Sequence, residues 1–85
     1  MKLENLMNAL TKKGIRVCGT TKDFNHDFDD NGIWIAADST PDLFEYWCEG
    51  WINTYGVEPK LNAFVEDNGW YFEWYDPGTM MCWPQ

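Results

Sequence analysis

Asp67-Asn68-Gly69-Trp70-Tyr71-Phe72-Glu73-Trp74-Tyr75-Asp76 decides how this chain is read. Trp70, Phe72 and Trp74 alternate with Tyr71, Glu73 and Tyr75, the period-two pattern of a strand that buries one face. Asn-Gly between two β-prone runs is a hairpin signal, because both central residues of a type I′ turn need positive φ. The same tripeptide occurs once more, where Asp30-Asn31-Gly32 runs into Ile33-Trp34-Ile35-Ala36-Ala37-Asp38. Upstream of each copy lies an amphipathic helical stretch ending in glycine, at Gly14 and at Gly56. The chain therefore reads as helix–strand–strand written twice.

Working outward, Leu3, Leu6, Met7 and Leu10 recur at i, i+3, i+4 and i+7, the stripe of a helix with one buried face. Lys12 and Lys13 complement its negative end, and Gly14 supplies the left-handed C′ position. Ile15 to Thr20 predicts a strand. Thr21 to Asp30 is polar and acidic, open between a continued strand and a loop, and Ile33 to Ala37 is the returning strand. Thr40-Pro41-Asp42 is a helix start, with a capping threonine, proline at N1 and an acid at the positive end. Leu43, Phe44, Trp47, Cys48, Trp51, Ile52 and Tyr55 then form the apolar face of a second helix that ends at Gly56. Leu61 to Glu66 reads as a strand after Pro59, pairing with Trp70 to Tyr75. Asp76-Pro77-Gly78 is a turn, and Met80, Met81 and Trp83 suit a tail, residues 77–85, that packs down.

Two helix–hairpin units, about 3–38 and 40–76, cannot each bury their own face, so they should share one core in a single domain, 1–85. The expected fold is α+β, order α-β-β-α-β-β, with a four-stranded, mainly antiparallel sheet and both helices on one side. The other sheet face should then be free, presenting some of Trp34, Tyr71, Glu73 and Tyr75. Strand register leaves the side taken by Trp34 open.

Eighty-five residues is small for a domain without staples. Six Trp, five Phe and four Tyr offset this, since each large ring buries roughly 150–250 Å². Cys18, Cys48 and Cys82 have no CxxC or zinc-like spacing and read as free thiols. No signal peptide is evident, and no apolar run reaches the ~20 residues a membrane span needs. A cytoplasmic protein is expected. Net charge is −8, unevenly spread: from Asp23 onward there are thirteen acids and one base, Lys60. That excludes a basic face for direct nucleic-acid binding and favours a basic protein partner.

Residues 27–38 place acids or amides at loop positions 1, 3 and 5, glycine at 6 and Asp38 at 12, resembling an EF-hand calcium loop. Asp38 stands where that family prefers Glu, and Phe64 and Glu66 replace the ligand positions near the second Asp-Asn-Gly copy. A hairpin turn is the common cause, and a calcium-binding module stays an alternative. His26, the lone histidine, lies in a polar loop. There is no phosphate loop, serine elbow or HExxH motif, so neither an enzyme nor a cofactor is expected.

Function is placed instead on Asp23, Asp27, Asp29, Asp30, Asp42, Glu45, Glu49, Glu66 and Asp67, with Trp34, Tyr71, Glu73 and Tyr75 as anchors. Carboxylates on a rigid scaffold compete for a Lys/Arg groove and steer encounter, while aromatics supply desolvated hot spots. In size, charge and compactness the chain resembles small acidic phage-encoded anti-defence proteins, including anti-CRISPR proteins and DNA mimics. The resemblance implies an inhibitor acting in the host bacterial cytoplasm on a nucleic-acid-binding enzyme or defence complex. An antitoxin or immunity protein that caps one toxin enzyme is the close alternative.

Overall fold

The computed structural model describes all residues, 1–85. The elements run α1 (Leu3–Lys12), β1 (Val17–Thr20), α2 (Thr21–Phe24), β2 (Ile33–Ala36), α3 (Pro59–Asp67), β3 (Trp70–Asp76) and β4 (Thr79–Pro84). Two 3-10 turns, Ala37–Ser39 and Glu49–Thr54, lie between β2 and α3. All strand pairs are antiparallel, in the order β1-β2-β4-β3. With the single turn of α2 set aside, the principal elements follow α-β-β-α-β-β. No helix is long and apolar enough to cross a membrane.

Strand alternation builds two layers from one sheet. Ile33 pairs with Cys82, which faces Phe72, and Ile35 pairs with Met80, which faces Trp74. These rows point toward Leu6 and Leu10 of α1 and Leu61 and Val65 of α3, and all belong to or pack on one apolar cluster. The Trp34–Met81–Glu73 row points the other way, so Trp34 lies on the face opposite the helices. Trp70 closes one end of the core, its indole N–H donating to the Met1 carbonyl at 2.8 Å.

The second half of the chain departs from the sequence reading. Residues 40–56 form no α-helix, Leu61 to Glu66 is helix α3 instead of a strand, and the tail is strand β4. Pro59 sits in the first turn of α3, and the Glu58 carboxylate accepts from the Lys60 and Leu61 amides at 2.8 and 3.1 Å. A proline there loses no hydrogen bond, and the carboxylate meets the positive end of the dipole. Asn68 and Gly69 are the C-cap of this helix, Gly69 at φ 86, so the second Asn-Gly ends a helix. The true second hairpin joins β3 to β4 through Pro77-Gly78, where the Asp76 carboxylate accepts from the Gly78 amide at 2.9 Å. In the first copy neither Asn31 nor Gly32 has positive φ, so no type I′ turn forms there either.

Cys82 is fully buried in the central β4, and burial pushes its thiol up from 9.0 to about 12. Desolvation disfavours the thiolate. In the unfolded chain the thiol ionises near 9.0, so between about pH 9 and about 12 the folded state holds the extra proton. Stability is then whole below pH 9 and falls with a slope of about one proton between there and about pH 12. Urea midpoints across that range should show this slope, and Cys82→Ala should flatten it; equal slopes refute the assignment. Cys18, exposed on β1, should react with a thiol reagent at once, and Cys82 only on unfolding.

Candidate protein-binding surface

The long β2–α3 connection is pinched at its base and open at its tip. Phe44 and Val57, both buried, form an isolated antiparallel bridge. Beside it the Glu45 amide donates to the Gly56 carbonyl at 2.7 Å, and the Glu58 amide to Leu43 at 2.8 Å. Phe44 packs edge-on against Phe72 at 5.4 Å and Trp74 at 6.4 Å, anchoring the base in the core. Tyr55 holds the left-handed conformation at φ 52, uncommon for a residue with a Cβ. Its carbonyl accepts from the Trp74 indole N–H, which ties the tip to β3.

The tip turns its apolar side chains outward. Trp47, Ile52 and Tyr55 are 76%, 73% and 81% exposed. Together with Tyr46, Glu49 and Trp74 they line a groove of about 390 Å³. Exposed apolar side chains clustered on a rigid base mark a contact surface. The sequence reading placed Trp47, Ile52 and Tyr55 in a helix core, and none of them was counted among the anchors. Gly50 in mid-segment was a signal against the helix, though not for the exposure of these side chains.

The anchors expected on the outer sheet face fare differently. Thr20 caps α2 in a capping box with Asp23, and the Thr21–Gly32 segment folds across the outer sheet face. Phe24 contacts Trp34 at 5.1 Å and Tyr75 at 4.7 Å, while Phe28 contacts Trp83 at 6.1 Å. That face is therefore not free, as expected from the strand pattern, but covered by the insertion. Trp34 is half-buried there, and Tyr75 is partly engaged; Tyr71 and Glu73 stay exposed.

No protein-family model, curated protein or solved structure matches this chain. The surface must be read from its own chemistry.

All nine acidic candidates are exposed, and they fall on three separate segments of the chain. The Asp23 carboxylate is used internally, accepting from the Thr20 amide at 2.9 Å. Asp27, Asp29 and Asp30 lie along the insertion, and Asp42, Glu45 and Glu49 along the β2–α3 connection. Glu66 and Asp67 close α3, whose last turn holds no base. Acids there oppose the helix dipole, so they are not placed for stability. For the calcium reading, no three His, Cys, Asp or Glu are gathered in a group that could hold a metal ion. Strand β2, at roughly 3.3 Å per residue, carries Asp38 away from Asp27 and Asp29. His26 is exposed, and Cys48 lines the groove half-buried.

Proposed function

We propose that this chain is a non-catalytic inhibitor that occupies a basic, nucleic-acid-binding surface of a target protein, in the manner of anti-CRISPR proteins and DNA mimics. Its site of action is then the host bacterial cytoplasm, its target a defence complex or nucleic-acid enzyme. The observation that carries the reading is the set of exposed carboxylates that the fold itself does not use. Among the nine, only Asp23 accepts a hydrogen bond through its side chain, and Glu66 and Asp67 sit where they cost stability. Carboxylates spread over a rigid scaffold present phosphate-like charge to a Lys/Arg groove and speed encounter with it.

Two variants test this. In one, Asp27, Asp29 and Asp30 become Asn; in the other, Glu66→Lys is joined to Asp67→Lys. The wild-type chain should capture a nucleic-acid-binding protein from bacterial lysate and compete with duplex DNA for it. Both variants should weaken capture at least about tenfold, a loss that grows with salt. Glu66→Lys/Asp67→Lys should at the same time raise the melting temperature, since each lysine gains a few tenths of a kcal/mol from the dipole. Capture that is undiminished in both variants, or simultaneous binding of DNA and this chain, defeats the proposal.

A further inference from the structure

The groove at the tip of the β2–α3 connection has a composition that selects its occupant. Its walls are aromatic and meet nearly at right angles: Tyr46 stands 72° to Trp47 with ring centres 4.7 Å apart, and 76° to Trp74 at 5.2 Å. Glu49 is the only charged residue lining it. Ring faces carry negative charge density, so such a corner attracts a cation, and a carboxylate at its rim adds to the attraction. No lysine or arginine of the chain lines it. The one base beyond Lys22 is Lys60, which borders a different hollow, and the cation–π contact the fold does make, Lys13 4.6 Å over Phe64, is on α3.

We infer that this groove is a receptor for an arginine side chain presented by the basic partner. The inference rests on the proposed function and names the anchor through which the partner is held. The open shape distinguishes arginine from a quaternary ammonium. A quaternary ammonium is recognised within aromatic walls on several sides, and Trp47 and Tyr55 here are largely open to solvent. A planar guanidinium needs only one ring to stack on and a carboxylate to receive its N–H edge. The volume, about 390 Å³, admits the arginine head, its methylene stem and adjacent main chain.

The probes are two blocked tripeptides, Gly-Arg-Gly and Gly-citrulline-Gly, which match in shape and differ in charge. Indole N–H signals in ¹H–¹⁵N spectra report on the groove. The arginine peptide should move the Trp47 and Trp74 signals saturably, and the citrulline peptide should bind about tenfold more weakly or worse. Trp47→Ala should abolish the response without lowering the melting temperature, because this ring is mostly in water. Glu49→Gln should weaken binding several-fold. Equal affinity for both peptides, no saturable shift, or an arginine response that survives Trp47→Ala overturns the assignment. The two proposals fail separately. Partner capture that tolerates Trp47→Ala but is lost on neutralising Asp27, Asp29 and Asp30 removes the groove and keeps the inhibitor. Arginine binding with no basic target captured does the reverse.

Discussion

Gly56→Ala is expected to destabilise the chain by about 3 kcal/mol or more and to unlatch the exposed loop. Gly56 has φ +84, and a Cβ built there meets the Glu45 carbonyl oxygen at 2.5 Å and the Tyr46 Cα at 3.2 Å. Left-handed backbone costs an L-residue roughly 1–2 kcal/mol. The collision adds to this because it is with main chain, which cannot rotate away. The residue also accepts the Glu45 amide, so the strain is delivered to the bridge that pins the loop base. Gly69→Ala is the internal control: φ is +86, but nothing lies within 4 Å of the added carbon. It should cost only the backbone part, about 1 kcal/mol. At 4–8 °C per kcal/mol for a domain of this size, thermal melts should separate the two by roughly 10 °C. Equal melting temperatures would mean that the loop base yields to a methyl group, and the groove above it would lose its rigid floor.

Thr21→Val should cost about 2–3 kcal/mol and release the insertion from the sheet. Thr21 is fully buried, yet it is polar. Its hydroxyl donates to the Asp29 carbonyl and accepts from the Gly32 amide at 3.2 Å, and its own amide donates to Gly32 at 3.0 Å. Valine preserves the shape and leaves a buried N–H and a carbonyl unpaired, a penalty of about 1–3 kcal/mol for each orphan that water does not reach. The insertion has little to spare, since the Trp83 indole N–H beneath it is already buried without an acceptor. Thr21→Ser retains the hydroxyl and should lose about 1 kcal/mol of methyl packing. Urea midpoints rank the three chains, and hydrogen exchange at Gly32 locates the damage. A Thr21→Val chain as stable as wild type, with Gly32 still protected, would place the hold on the insertion elsewhere, in Phe24 and Phe28.

Helix α1 and strand β3 were legible because their signals are local. The stripe of Leu6 and Leu10 and the cap at Gly14 define α1, and the alternation of Trp70, Phe72 and Trp74 points the right face of β3 inward. The misread stretch, residues 40–66, shows where local signals compete. Thr40-Pro41-Asp42 starts a turn, but Gly50 and the pull of Phe44 into the core defeat the helix. Glu58-Pro59 with Leu61, Phe64 and Val65 carried a helix start and an i, i+3, i+4 stripe that the strand reading passed over. The groove was hidden for a further reason. Apolar residues at helical spacing are read as core, and nothing in one sequence says that Trp47, Ile52 and Tyr55 face solvent. Acidic Glu66 and Asp67 were visible as charge, though their opposition to a helix dipole appears only once α3 is known.

The placement of β4 between β2 and β3 predicts an order of folding. The β3–β4 hairpin closes over two residues and can form in microseconds. Pairing of β2 with β4 joins Ile33 to Cys82 and Ala36 to Thr79, partners more than forty positions apart, and waits on the closure of that whole segment. The exposed loop lies inside this closing segment, and each residue added to its tip lengthens the search only logarithmically. Lengthening the tip should therefore slow refolding slightly and leave the unfolding rate alone, which stopped-flow measurement of both limbs can decide. The tip is thus the part of the molecule that can change most freely without hindering its assembly, as suits a surface whose shape must answer to a partner's.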